Sequence, residues 1–288
     1  MTKKVTNPTK SLEIPQFIII SCKICAFIST KLVTSYAAKL FTTPIKHKIP
    51  KREFEMDQKC TQKTVYVPAI NQNVVTYHYG QSDRRILLVH GWSGRGTQLF
   101  KIADELLKNG YSTVSFDAPA HGKSKGKTTI MSEFIASILE IDKQYGPFEI
   151  AIGHSLGGMS VLNAIKDGLK VNKAVVIGSG DIVQDILDDF IVKLGLKQEI
   201  SDRLRDLFED KYQVKMDDFS AYRAAQKVKI PILVIHDNDD PEVSVKAGIH
   251  IHQQLENGTL YLTDGLGHRK ILGNQNVIKK TLEFIKTN

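Results

Sequence analysis

Ser155 lies in Gly153-His154-Ser155-Leu156-Gly157, a match to G-x-S-x-G. A serine hydroxyl is a poor nucleophile at neutral pH. It becomes reactive when an imidazole can take its proton and a carboxylate holds that imidazole in one tautomer. Both groups follow downstream, in His236-Asp237-Asn238-Asp239-Asp240-Pro241-Glu242-Val243 and in Asp264-Gly265-Leu266-Gly267-His268. The chemistry these residues could do is attack on a carbonyl carbon with a proton passed between serine and histidine. Asp237, Asp239 and Asp240 compete for the orienting role.

The pattern needs a strand that ends, turns sharply and starts a helix with the serine at its tip, and its glycines leave room for close backbone approach. The apolar run EIAI leads directly into Gly153, and a helical pattern opens at Leu156. A second match, Gly122-Lys123-Ser124-Lys125-Gly126, follows the loop DAPAH and runs into KTT, so it lacks that context and Ser124 reads as a polar loop residue.

The elements that must position these residues are legible from residue 64 onward. Strand patterns fall at 64–67, 74–79, 86–89, 112–116, 149–152, 174–177, 232–235 and 259–263, and helical patterns at 97–108, 131–144, 156–167, 243–256 and 275–286. The first two strands read as a hairpin and the rest as strand-helix-strand crossovers. Runs such as ILLV, AVVI and ILVI are apolar at every position, which implies burial on both faces of a parallel sheet. The expected fold is α/β, a doubly wound sheet with helices on both sides. Alternation pauses over 179–229, where the sequence reads as helices after a strand's C-terminal end, the place where such sheets bind ligands. This segment is expected to form a small lid. Its face of Ile182, Ile186, Phe190 and Leu194 suits either an acyl chain or docking on the core.

Five motifs in sequence then resemble the α/β-hydrolase superfamily, in particular its lipase- and esterase-like members with a small helical lid. They are His90-Gly91-Trp92-Ser93-Gly94, Asp117-Ala118-Pro119-Ala120-His121-Gly122-Lys123-Ser124, the turn at Ser155, Asp240-Pro241-Glu242-Val243, and Gly267-His268. The resemblance covers residues 64–288 and leaves the arm at 1–63 outside. It implies that Asp240 is the acid, since the family's D-x-x-V pattern falls there. It also implies that the backbone N–H groups of Trp92 and Leu156 form the oxyanion hole. His268, in a glycine-flanked loop after the last strand, can reach Ser155 and is the expected base. His90 reads as a brace for the oxyanion loop, His250 and His252 face different sides of a helix and cannot share a metal, and His47, His78 and His236 show no partner pattern.

The function implied is a serine hydrolase that cleaves a small-molecule ester or thioester through an acyl-enzyme, with no cofactor and no metal. Acyl transfer, peptide or C–C bond cleavage and perhydrolysis can use the same residues, and a non-catalytic binding module can share the fold.

The net charge of +8 does not belong to that domain. Residues 1–63 hold twelve bases and four acids, while the remainder holds 27 of each. No nucleic-acid partner is expected, because the folded domain lacks a basic excess. Within the arm, Ile20, Ile24, Phe27, Ile28, Leu32, Tyr36 and Leu40 form a helical stripe closed by Pro44. It suits packing on the main domain, self-association with a second copy, or peripheral contact with an anionic membrane. Its apolar run is too short to span a bilayer. Lys3, Lys4 and Lys10 mimic a secretory start, but Lys23 interrupts the run and no clear cleavage site follows, so a cytoplasmic location is expected. Three cysteines cannot staple a chain of 288 residues, and Cys22 and Cys25 lack a second ligand pair for a metal.

Overall fold

The computed structural model describes residues 14–287; Lys3, Lys4 and Lys10 lie outside them. Helices α1 (Gln16–Ile28), α2 (Thr30–Thr42) and α3 (Phe54–Lys59) lead into a hairpin of β1 (Thr61–Val67) and β2 (Gln72–Tyr79). The chain then alternates through β3 (Arg85–Val89), α4 (Phe100–Lys108), β4 (Ser112–Asp117), α5 (Met131–Tyr145), β5 (Ile150–His154), α6 (Leu156–Lys166) and β6 (Lys173–Ile177). The insertion carries α7 (Val183–Lys193), α8 (Glu199–Tyr212) and α9 (Ala221–Ala225). The chain closes with β7 (Ile232–Asp237), α10 (Val245–Gln254), β8 (Gly258–Thr263), α11 (Gly267–Lys270) and α12 (Gln275–Lys286). All eight expected strands form, and the first starts at Thr61, so the sheet takes in three residues that the sequence reading leaves in the arm.

The strands make one sheet in the order β1-β2-β4-β3-β5-β6-β7-β8. β2 pairs antiparallel with β1 and β4, and from β4 to β8 all pairs are parallel. Alternate residues feed two cores. Leu87, Val89, Val176, Ile232 and Val234 face a layer that includes α5 and α6, while Ile86, Leu88, Val175, Leu233 and Ile235 face one that includes α4 and α12. This two-sided burial is why those strands are apolar at every position. Because β4 lies on one side of β3 and β5 on the other, connections reverse between β3 and β5. In such sheets ligands usually bind beyond the C-terminal ends of the strands at that reversal.

The arm is not one continuous helix. Ser29 is extended and its side chain caps α2, which folds back on α1. Turning the chain there buries Cys22, Val33 and Ala37 against Leu187, Ile191 and Leu194 of α7 and its end, and against Ile200, Leu204 and Phe208 of α8. The stripe read from periodicity therefore ends largely exposed, because the small residues on the opposite side allow closer packing on the lid. Phe190 packs edge-on against Phe41 and Leu194 is buried, so much of the lid's apolar face is occupied by the arm. Burial pushes the thiols of Cys22 and Cys60 up to about 11 and about 12, keeping them protonated.

After α2 the arm is tied to the loop beyond β3. Ile45 N–H donates to Ser93 Oγ at 3.0 Å, and buried Glu53 accepts from Arg95 Nη1 at 3.3 Å and Thr97 Oγ1 at 2.7 Å. Removing one partner of a buried ion pair leaves the other charge uncompensated. Glu53→Ala is expected to cost about 3–5 kcal/mol in urea unfolding. A loss below about 1 kcal/mol, the range of exposed pairs, would mean that the arm is not part of the folded unit.

Candidate active site

Ser155 joins β5 to α6 with φ 53° and ψ −122°. A non-glycine residue there costs about 1–3 kcal/mol and persists only when its surroundings impose it. The surroundings are crowded. A Cβ on Gly153 would lie 2.3 Å from Gly157 O, and one on Gly157 would lie 2.3 Å from Val89 O. Ser155 N–H donates to Ile177 O at 2.9 Å, fixing the turn to the end of β6.

His268 is buried in the first turn of α11, rather than in an open loop, just beyond β8. His268 Nδ1 lies 2.7 Å from Asp240 Oδ2, so Nδ1 donates to the carboxylate and Nε2 is left as the basic atom. Asp240 Oδ1 accepts from Glu242 N–H at 2.8 Å and Val243 N–H at 2.9 Å. Burial alone would raise the Asp240 pKa. The hydrogen bond and charge of His268 and the two backbone donors outweigh it and hold the carboxyl below its usual range.

No hydrogen bond joins Ser155 Oγ to His268 among the described residues, but the two have neighbours in common at the same end of the sheet. The His154 ring, next to Ser155 in the chain, lies 4.6 Å from the His268 ring, and His154 Nε2–H donates to His268 O at 2.9 Å. Gly178, which follows the acceptor of Ser155 N–H, would bring a Cβ within 3.3 Å of His268 Nδ1. Hydrogen bonds of this kind are often long before substrate binds.

The loop beyond β3 abuts the serine, where a Cβ on Gly91 would lie 2.9 Å from Ser155 Cβ. The N–H groups of Trp92 and Leu156 donate to no acceptor among the described residues. Neighbouring donors are committed: Gly91 N–H to Gln98 Oε1 and Ser93 N–H to His121 Nε2, both at 3.0 Å. His90 Nε2 accepts from Ala118 N–H at 3.0 Å and its Nδ1–H donates to Gly91 O at 2.7 Å, bracing two loops as expected. Burial drives His90 down to about 4 and His121 down to about 3. Both are neutral near pH 7, as accepting through Nε2 requires.

The rival residues take other roles. Ser124 Oγ is buried, donates to Asp117 O at 2.6 Å and accepts from Val75 N–H at 2.9 Å. Asp237 and Asp239 do not serve the N-terminus of α10, which Ser244 caps. Asp237 instead accepts from Thr263 Oγ1 and from the N–H groups of Asp239, Leu266 and Gly267, and Asp239 accepts from Gly265 N–H. Both carboxylates hold the turn that carries His268. Asp237→Ala is expected to lose about 2–4 kcal/mol of stability, because buried donors lose their acceptor. Turnover should fall with it as the turn loosens, and paired unfolding and kinetic measurements test this. An unchanged unfolding midpoint would sink the assignment.

Three further residues escaped the sequence reading. His236 is fully buried, its Nε2 3.6 Å from Asp240 Oδ2 and 3.0 Å from Val243 O. Burial lowers its pKa, as it does more strongly for His154. His121 acts through the bond to Ser93. Their common signal is position at a strand end or in the next loop. A concavity of about 480 Å³ lined by Lys63, His78, Arg85 and Tyr145 lies at the N-terminal ends of β3 and β4, opposite Ser155. Among the described residues no group of three His, Cys, Asp or Glu side chains could hold a metal ion.

Sequence and structure comparisons bear on the fold and the family. A model of the alpha/beta hydrolase family matches residues 86–272. A monoglyceride lipase of Saccharomyces cerevisiae is 32% identical over 111 residues, spanning 34% of this chain and about a third, 36%, of that enzyme's length. An esterase of Pyrococcus furiosus superposes with a TM-score of 0.66 at 18% identity, over 85% of this chain and 97% of its own. A bromoperoxidase of Bacillus anthracis gives 0.60 at 17% identity, over 78% and 99%. At these identities the two structures speak for the fold alone.

Proposed function

This chain belongs to the alpha/beta hydrolase family, and we propose from that premise that it hydrolyses a carboxylic ester or thioester through a covalent intermediate on Ser155. His268 Nε2 takes the proton as Ser155 Oγ attacks the carbonyl carbon, and Asp240 steadies the imidazolium that forms. The N–H groups of Trp92 and Leu156 receive the negative oxygen of the tetrahedral intermediate. Each such donor is typically worth about 2.7–4 kcal/mol of barrier. His268 returns the proton to the leaving alcohol or thiol. A water molecule then gives a proton to His268 and attacks the acyl carbon, and the acid leaves as the bond to Ser155 Oγ breaks and His268 returns that proton to Ser155 Oγ.

The observation that carries this reading is the 2.7 Å bond between His268 Nδ1 and a buried Asp240 whose other oxygen is already satisfied twice. It leaves Nε2 as the one basic nitrogen of His268, at the end of the sheet where Ser155 is held at positive φ. The reading includes a cytoplasmic setting, supported by three unpaired thiols, two of them buried. No helix among the described residues is long and apolar enough to cross a membrane.

The test is a fluorophosphonate probe with a short-chain aryl ester as substrate. Phosphonylation should map to the peptide containing Ser155, and an acyl burst should precede steady turnover. Labelling elsewhere, or ester cleavage no faster than buffer, would overturn the proposal. Product analysis with a competing alcohol separates hydrolysis from acyl transfer.

A further inference from the structure

The helix α1 presents Phe17, Ile20, Ile24, Phe27 and Ile28 at helical spacing on one side. Phe17 is 71% exposed, Ile24 56% and Phe27 93%, and Leu32 at the start of α2 is exposed as well. Single exposed apolar residues are ordinary. A contiguous patch on the order of 300–600 Å² is already the largest a typical monomer carries, and such patches are commonly functional. The opposite side of the same two helices is used up on the lid through Cys22, Val33 and Ala37. Among the described residues, the outward side packs on nothing.

Charge selects the occupant. Between residues 14 and 52 there are seven basic residues and no acidic one. Lys31 and Lys39 are exposed, and neither pairs with a carboxylate among the described residues. A second copy docked symmetrically on this face would bring an identical set of positive charges to the same place. An anionic bilayer offers apolar depth and opposite charge together. A helix of 13 residues is about 20 Å long, too short to cross but suited to lying in the interface.

We propose that α1 and the start of α2 dock on the surface of an anionic lipid bilayer, with Phe17, Ile20, Ile24, Phe27 and Ile28 entering the acyl boundary and Lys31 and Lys39 meeting headgroups. Because the other side of these helices packs on α7 and α8, docking sets the lid next to the bilayer. The inference goes beyond the proposed reaction and stands without it.

Full-length protein is sedimented with vesicles of phosphatidylcholine alone and with 30% phosphatidylglycerol, a mixture on the order of plasma-membrane charge. Binding should be at least about tenfold stronger to the anionic vesicles and should fall in high salt. Ile24→Asp/Phe27→Asp should weaken it by more than about tenfold, and Lys31→Gln/Lys39→Gln by roughly 30-fold. In each variant the far-ultraviolet circular dichroism spectrum and the rate on a soluble aryl ester should be unchanged, which separates this result from failure of the reaction assignment. Wild-type protein left in the supernatant, equal binding to both vesicles, or full binding by either variant overturns the proposal. So does a dimer in lipid-free buffer that Ile24→Asp/Phe27→Asp dissolves, which would give the face to a second copy.

Discussion

Ser155→Ala is expected to lower turnover of an aryl ester by about 10⁶-fold, measured with substrate in excess over enzyme, and to abolish fluorophosphonate labelling. The residual rate would come from the oxyanion donors and from binding, which the substitution leaves in place. Stability should change little, because alanine faces the same positive φ and Ser155 Oγ makes no hydrogen bond among the described residues. Removing His268 as well should add almost nothing, since nucleophile and base act as one unit. Ser124→Ala is the informative control. It removes a buried donor and leaves Val75 N–H without its acceptor, so it should lower the unfolding midpoint while probe labelling at Ser155 persists. A Ser155→Ala rate within tenfold of wild type would leave the assignment without a nucleophile.

How far the sequence carried the reading depends on the range of each interaction. Strand positions were legible because burial on both faces requires apolar residues at every position, a local pattern. The turn at Ser155 was legible because its glycines answer backbone approaches within five residues and one neighbouring strand. In the arm, periodicity reports an apolar side but not which side packs. Cys22, Val33 and Ala37 form a less conspicuous pattern than the isoleucines and phenylalanines that stay outside. The parts played by His236 and Asp237 were hidden for a different reason. The turn at 263–267 reaches Asp237 only when β7 and β8 align, and Val243 and Asp240 reach His236 only when the loop after β7 folds back. Glu53 lies outside the resemblance altogether and meets Arg95 across more than 40 positions, a pairing that no local pattern signals.

Asp240→Asn is expected to lower turnover by about 10⁴-fold with the fold intact. In the native site Asp240 Oδ1 accepts both Glu242 and Val243 N–H groups, and Oδ2 accepts His268 Nδ1–H. An asparagine must keep its carbonyl oxygen on the two backbone donors and so turn its NH₂ toward Nδ1. That nitrogen must then accept, which moves the imidazole proton to Nε2, the atom required to take the serine's proton. The loss thus arises from a reversed tautomer rather than from displaced side chains. Asp239→Asn serves as comparison, because its oxygen receives only Gly265 N–H, which an amide oxygen also accepts. It should stay within a few-fold of wild type, a change of about 1 kcal/mol or less in barrier. Steady-state kinetics on both variants, with unfolding midpoints to verify folding, decide the matter. Collapse in Asp239→Asn with near-normal turnover in Asp240→Asn would transfer the orienting role and break the link between His268 and the buried carboxylate.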